Sequence, residues 1–314
     1  MDFGNLFQTT YTTEKFTFFK SSMPPASTPP TFDVEILSSP SAATDFDKTG
    51  EVVWPVSVLL AQFLLSYAGL RARIEDSEPT SPLRILELGS GVGLPSAAVL
   101  EYYAGFKNRI SLRASDGHEA FITTGEGEAG ILSRNLEKYE QNAKAIPLLW
   151  GKTQDVLNAL PSYDVLFAAD VVQWPAVVEP LAMTVHALLH PGKGAEPKKR
   201  PVMYLGIVER DDGALKQKFF ALLCSYGFSE ARQIKYEEYL PRVEGEEGGS
   251  DEAAAFTFPA KGAEFGGRIC MIYEIELIDF DMVPVLLEAG VTDKLLSSGH
   301  EQTMTLPCVN ASFS

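Results

Sequence analysis

Residues 84–94, which read RILELGSGVGL, decide the fold. The apolar run over 85–88 predicts a buried strand, and the glycines after it predict a tight turn into a helix over 95–103. Because glycine carries no side chain, the backbone of such a turn can approach a ligand closely. Leu94 stands where a dinucleotide-binding G-x-G-x-x-G motif has its third glycine, which disfavours a dehydrogenase.

Length, charge and cysteine content restrict the class of protein. The chain has 314 residues and a net charge of −16, so one large domain, or one domain with extensions, is expected. An acidic chain repels phosphate backbones, and no nucleic-acid partner is expected. No apolar run approaches the ~18 residues that span a bilayer, and no secretory signal is visible. We therefore expect no membrane partner and a cytoplasmic location, with the nucleus as the alternative. The widely spaced Cys224, Cys270 and Cys308 predict neither a metal site nor a disulfide.

Strand and helix patterns alternate through the middle of the chain. Strands are predicted over 85–88, 110–114, 146–149, 165–168 and 202–207, and helices over 52–70, 95–103, 129–142, 175–189 and 214–226. Two late β segments, 229–239 and 268–277, have no helix between them and predict an antiparallel hairpin at the sheet edge. The pattern as a whole predicts an α/β fold, with a Rossmann-like, seven-stranded, mostly parallel sheet and helices on both faces.

The composition divides the chain into a central domain with two extensions. The domain is predicted over 51–278, with an acidic loop insert at 241–267. Residues 1–50 are predicted to be a partly disordered N-terminal extension, in which a short strand over 32–36 interrupts a stretch rich in Pro, Ser and Thr. Residues 279–314 are a C-terminal extension. A monomer is expected.

Polar and aromatic residues recur where predicted strands end. In an open parallel sheet, ligands bind beyond the carboxyl ends of the strands. Glu87, before the glycine turn, can orient that turn or reach the amino group of a ligand. Asp116 ends the second strand, and a carboxylate there can accept hydrogen bonds from two ribose hydroxyls. Trp150 and Trp54 can each stack on a flat ring or pack in the core, and both alternatives stay open.

Asp170 follows the fourth strand. It can position an incoming amine, hold a cationic group, or complement the dipole of the next helix. His118 and His186 lack an acidic partner at usable spacing, so no catalytic histidine is predicted. The sequence contains no nucleophile elbow, Walker loop or H-E-x-x-H motif, and no hydrolase, kinase or zinc protease is expected.

Taken together, these motifs resemble a known family. The segments that carry the resemblance are 53–55 (VWP), 86–95 (LELGSGVGLP), 115–117 (SDG), Asn135, 149–151 (LWG) and 169–172 (ADVV). Over about 50–278 the chain resembles the seven-β-strand, class I S-adenosylmethionine-dependent methyltransferases of the lysine methyltransferase-like family. That family includes methyltransferases of calmodulin, elongation factors and molecular chaperones.

The resemblance implies a cofactor, a reaction and a set of site residues. S-adenosylmethionine is the implied cofactor, and the implied reaction is direct methyl transfer to a lysine nitrogen of a protein substrate. A small-molecule N-methyltransferase and a non-catalytic cofactor-binding module are the alternatives. Gln173 stands where the family reads Tyr in D-x-x-Y. Asp170 is implied to position the acceptor, with Gln173 and Trp174 as pocket walls. The implied cofactor site consists of Trp54, Glu87, Gly89, Gly91, Gly93, Asp116, Trp150 and Ala169, and no metal is implied.

Overall fold

The structure is a computed structural model that describes six stretches of the chain. These are residues 11–19, 31–39, 46–192, 197–210, 213–239 and 269–287. The predicted acidic loop at 241–267 lies outside the described residues, as do parts of both predicted extensions.

The described residues form nine strands and seven α-helices. The strands are β1 Thr12–Phe19, β2 Thr31–Ser38, β3 Leu83–Leu88, β4 Ile110–Asp116, β5 Ala143–Pro147, β6 Val165–Ala169, β7 Val202–Val208, β8 Arg232–Ile234 and β9 Cys270–Glu276. The helices are α1 Pro55–Ser66, α2 Ala68–Glu75, α3 Leu94–Tyr102, α4 Ile131–Leu136, α5 Thr153–Ala159, α6 Pro175–Leu189 and α7 Ala214–Ser225.

Seven of these strands form one sheet, in the order β5-β4-β3-β6-β7-β9-β8. The strands from β5 to β7 pair in parallel, and β9 is antiparallel to both of its neighbours. This arrangement confirms the predicted fold class, including the antiparallel edge hairpin. The order reverses between β3 and β6, since β4 and β5 lie on one side of that point and β7 on the other. Such a switch point opens a crevice at the carboxyl ends of the strands.

Helices cover both faces of the sheet, because successive side chains of a strand point to opposite sides. On β3, Ile85 packs into a core with α1, α3 and α4, whereas Leu86 packs into a second core with α5, α6 and α7. Strand β6 repeats the alternation, with Phe167 in the first core and Leu166 in the second. Both faces are therefore buried, which explains why the central strands read as continuous apolar runs.

The helix predicted over 52–70 is two helices. Tyr67 has extended backbone angles (φ −73°, ψ 121°), so α1 ends before it and α2 begins after it. In the described part of the chain, no single helix is long and apolar enough to cross a bilayer. Helices α1 and α2 meet that length and apolarity only when taken together, and a bend of 53° separates them.

Other boundaries also differ from the predicted ones. The helix predicted over 129–142 is α4, followed by a 3-10 turn at Glu137–Tyr139. Strand β5 begins and ends earlier than the predicted 146–149, and the short helix α5 was not predicted. The late segment 229–239 forms only the three-residue β8, because a 3-10 turn at Tyr236–Glu238 interrupts it.

The N-terminal strands form an antiparallel hairpin. The strand predicted over 32–36 is the centre of β2, and its partner β1 was not predicted. Phe18 and Ile36 are buried against the domain core. Asn135 of α4 accepts the Leu37 N–H at 2.8 Å and donates to the Leu37 carbonyl at 2.9 Å. The same amide donates to the Val92 carbonyl at 2.9 Å, which ties the hairpin to the glycine turn.

Candidate functional site

A cavity of about 310 Å³ opens at the carboxyl ends of β3, β4 and β6. Of the residues that the sequence singles out, most line it. They are Trp54, Gly89, Gly91, Asp116, Trp150, Ala169, Asp170, Gln173 and Trp174. Glu87 and Gly93 are not in its wall. The size suits a nucleoside-sized ligand, and the position is the crevice expected at the switch point.

The glycine turn after β3 brings bare backbone to the cavity. Gly89 and Gly91 have φ values of +62° and +52°, in the left-handed region that favours glycine. A Cβ on Gly89 would lie 2.9 Å from Cγ1 of Val171, and one on Gly91 would lie 2.6 Å from the carbonyl oxygen of Gly50. A side chain at either position would therefore force its neighbours apart.

Gly93 is required for helix packing and is not part of the cavity wall. It precedes α3 at φ +80°, and a Cβ there would lie 2.6 Å from Cδ1 of Leu132. Its lack of a side chain lets α3 pack against α4.

Asp116 ends β4 with its carboxylate at the cavity wall. Oδ2 accepts the Gly91 N–H and Oδ1 accepts the His118 N–H, each at 2.9 Å. Burial raises the pKa of Asp116, and these backbone hydrogen bonds oppose that rise. An ionised carboxylate has about four acceptor positions, so the two oxygens keep capacity for further donors. A pair of ligand hydroxyls would supply such donors.

Glu87 lies beneath the glycine turn and is buried. Its Oε2 accepts the Ser96 N–H at 3.2 Å and the Ser96 hydroxyl at 2.5 Å. Ser96 belongs to α3, so this contact joins the strand before the turn to the helix after it. Of the two roles expected for Glu87, orienting the turn fits this geometry, and direct contact with a ligand does not. Desolvation raises the pKa of Glu87 to about 8, against the opposing hydrogen bonds from Ser96.

Replacing Glu87 with Gln should change how stability depends on pH. The pKa of Glu87 rises on folding from 4.5 to about 8, so the folded chain holds a proton that the unfolded chain releases in this window. Ionisation of Glu87 therefore makes stability fall as pH rises from 4.5 to 8, by up to roughly 5 kcal/mol. We expect the Glu87→Gln variant to lack this fall, as measured by urea unfolding at pH 5.5 and 8.5. Glu119→Gln, at an exposed carboxyl, is the control. Equal pH dependence in wild type and Glu87→Gln would contradict the expectation.

Trp54 and Trp150 both line the cavity. Trp54 donates its Nε1–H to the Thr49 carbonyl at 2.9 Å, which fixes the ring before α1. Trp150 packs its ring edge over Gly89, and its buried Nε1 finds no hydrogen-bond partner among the described residues. Both rings are half-buried, so each packs against the protein and also lines the cavity.

Asp170 follows β6 and lies in an ion pair that the sequence did not indicate. Nη1 of Arg210 donates to Oδ1 of Asp170 at 2.6 Å, and Nη2 donates to Oδ2. Nε2 of Gln173 donates to Oδ2 at 3.0 Å and to the Asp170 carbonyl at 2.6 Å. Among the described residues other than glycine, Asp170 alone has a positive φ, +57°. The ion pair and the amide hold this uncommon backbone conformation in place.

Several wall residues were not predicted. Thr49 and Gly50 enter the wall from the 3-10 helix Phe46–Glu51. His118 lines the cavity and stacks on Phe121, with ring centroids 4.7 Å apart. Arg210 is not in this wall, but it contacts Asp170, which is. It follows β7, so the strand-end rule that selected Asp170 could also have selected it. Within the described residues, no cluster of three or more His, Cys, Asp or Glu could hold a metal ion.

A known protein family matches more than half of this chain. The model of a family described as "Lysine methyltransferase" matches residues 42–223. A comparison with curated proteins found no match. Among solved structures, the DszA carbon methyltransferase is similar at 17% identity and a TM-score of 0.44, over 68% of this chain and 51% of that one.

Two further solved structures are also similar. The fibrillarin pre-rRNA processing protein of Methanococcus jannaschii has 16% identity and a TM-score of 0.36, over 63% of this chain and 66% of that one. The S-adenosylmethionine-dependent methyltransferase SibL has 11% identity and a TM-score of 0.37, over 66% of this chain and 53% of that one. This chain thus spans about half to two thirds of the length of these structures.

Proposed function

Because the chain belongs to the lysine methyltransferase family, a class I group of S-adenosylmethionine-dependent methyltransferases, we propose that it methylates a lysine nitrogen of a protein substrate. One observation carries the proposal. The glycine turn, the Asp116 carboxylate and the Gln173 amide all line one cavity at the switch point of the sheet.

The residues of the cavity fit S-adenosylmethionine. Gly89 and Gly91 leave room that a Cβ would fill, so the ligand can lie against bare backbone. Asp116 keeps acceptor capacity for the two ribose hydroxyls. Trp150 lines the cavity and offers a flat ring to the adenine. Trp54 and Ala169 complete the wall.

The acceptor is proposed to enter beside Gln173 and Trp174. S-adenosylmethionine, when bound, supplies a methyl group already activated by a positively charged sulfur. The protein has to orient the lysine nitrogen, exclude water and favour the neutral amine. Gln173 donates both of its contacts to Asp170 through Nε2, so its carbonyl oxygen turns away from Asp170. We propose that this oxygen accepts an N–H of the acceptor amine and directs the nitrogen lone pair.

Two features support a protein substrate. Trp174 is 52% exposed, so a large apolar residue lies where the acceptor end of the cavity opens to the surface. Exposed apolar residues beside a site suit contact with another protein. The net charge of −16 favours association with a basic partner.

Transfer of a radiolabelled methyl group tests the proposal. The protein is incubated with labelled S-adenosylmethionine and a lysate of cells that lack this chain, and calorimetry measures cofactor binding in parallel. We expect a labelled protein band whose hydrolysate contains methyllysine. Label in the low-mass fraction alone would show the small-molecule alternative, and binding without transfer to any acceptor would show the non-catalytic one.

A further inference from the structure

Asp170 has no acceptor capacity left for a substrate. Its Oδ1 accepts Nη1 of Arg210 at 2.6 Å and the Val208 N–H at 3.3 Å. Its Oδ2 accepts Nη2 of Arg210 and, at 3.0 Å, Nε2 of Gln173. An ionised carboxylate offers about four acceptor positions, so these four donors occupy them. Asp116, across the cavity, accepts the Gly91 and His118 N–H groups at 2.9 Å and is not part of an ion pair among the described residues.

The ion pair also removes the net charge of Asp170 from the acceptor side. The Asp170 side chain is 2% exposed, and that of Arg210 is 30% exposed. The buried Cys270 thiol lies in the field of both groups. Burial, which is the largest cause, and the Asp170 carboxylate together raise its pKa to about 12, and Arg210 opposes that rise. Glu209 and Lys216, two nearby charged residues that the structure describes, pair with each other at 2.6 Å, and Asp211 and Asp212 lie outside the described residues.

We propose that Arg210 is a positioning residue that makes the acceptor side of the cavity select a neutral amine. It acts through Asp170 in two ways. It neutralises the carboxylate, which would otherwise favour the ammonium form of the acceptor. It also holds the carboxylate against Nε2 of Gln173, which orients the Gln173 carbonyl. The inference rests on the proposed function and extends it to a residue after β7.

The effect of Arg210 on the charge of the acceptor side can be measured without an acceptor, from the affinities of two nucleosides that are similar in shape and differ in charge. Sinefungin carries an ammonium-bearing carbon where S-adenosylmethionine has its methylated sulfur, whereas S-adenosylhomocysteine is neutral there. The ratio of their affinities therefore reports the charge near the acceptor side of the cavity. A general loosening of the fold would weaken both ligands by the same factor and leave the ratio unchanged.

Calorimetry at pH 8 on four variants of the full chain gives the test. Arg210→Met leaves the Asp170 carboxylate without its cation. The affinity for sinefungin, relative to that for S-adenosylhomocysteine, should therefore rise about tenfold. Asp170→Asn removes the negative charge of this ion pair and should lower the ratio about threefold, since the Arg210 side chain is partly exposed and screened. Asn tolerates a positive φ, so this variant should fold. Arg210→Lys and the double variant Asp170→Asn with Arg210→Met should both return to within twofold of wild type.

Arg84→Met is the matched control, because Arg84 pairs with Asp164 at 3.6 Å at the opposite end of the strands. Its ratio should stay within twofold of wild type. An unchanged ratio in Arg210→Met, or an equal shift in the single and double variants, would overturn the role of Arg210. If Arg210→Met does not fold, an unchanged ratio in Asp170→Asn has the same meaning. Failure of wild type to bind either nucleoside would overturn the proposed function as well.

Discussion

Replacing Asp116 with Asn should weaken S-adenosylmethionine binding by about 100-fold. The carboxylate accepts the Gly91 and His118 N–H groups, each at 2.9 Å, and is proposed to accept two ribose hydroxyls as well. The asparagine amide has an NH₂ group in place of one carboxylate oxygen. On that side it would face hydrogen-bond donors that it cannot accept. Hydrogen bonds to charged groups contribute about 1.5–3 kcal/mol each, and the loss of one or two accounts for the factor. Calorimetric titration with S-adenosylmethionine measures it.

Asp155 provides a matched control for this substitution. Its carboxylate also accepts a backbone N–H near the cavity, that of Leu149 at 3.1 Å, but it is not part of the wall. Asp155→Asn should leave the affinity within threefold of wild type. Equal affinities of wild type and Asp116→Asn would show that Asp116 does not hold the ribose.

The sheet could be predicted because β3, β6 and β7 are buried almost throughout, β4 alternates between buried and more exposed residues, and a polar or glycine residue follows each strand. That pattern locates β3, β4, β6 and β7 to within a few residues. The break between α1 and α2 was harder to predict, because neither Tyr67 nor the residue on either side of it is a proline or a glycine. Strand β1 does show the alternation of a half-buried strand, since Phe16 and Phe18 are buried two residues apart. It lies next to a Pro-rich stretch, which is not typical of a strand.

The sequence predicted which strand ends form the site better than it predicted the contacts that their side chains make. The position of Asp116 follows from its strand, because the carboxyl end of β4 can only face the crevice. The burial of Glu87 depends on Ser96, a residue of the next helix, and its contact does not follow from spacing alone. Arg210 lies 40 positions after Asp170. Their ion pair exists because β6 and β7 are neighbours in the sheet.

The two carboxylates on the cavity wall show why residue type alone does not assign a role. Asp116 and Asp170 both follow parallel strands, and both line the cavity. Asp116 is held by backbone N–H groups and keeps acceptor capacity, as a site for hydroxyl donors requires. Asp170 is neutralised by Arg210 and filled by four donors, which suits a supporting role behind Gln173.

Replacing Gly91 with Ala should both destabilise the fold and remove cofactor binding. The φ of +52° is in the left-handed region, where a Cβ costs about 1–2 kcal/mol. That Cβ would also lie 2.6 Å from the carbonyl oxygen of Gly50, and a backbone atom cannot move aside as a side-chain end can. Relief of the contact would push the Gly50 segment away from the turn and open the cavity wall. We expect a loss of about 2–4 kcal/mol in the free energy of unfolding and more than 100-fold in affinity for S-adenosylmethionine.

Gly105 separates this effect from a general effect of replacing glycine. A Cβ at Gly105 would meet no heavy atom within 4 Å, so Gly105→Ala should change stability by no more than about 0.5 kcal/mol. Urea unfolding and calorimetric titration of both variants give the two quantities. If Gly91→Ala matched Gly105→Ala in both, the close approach of Gly50 to the glycine turn would not be what shapes the cavity. If Gly91→Ala lost stability but kept its affinity, the turn would matter for folding alone, and the cofactor would have to be held by the Asp116 side of the cavity.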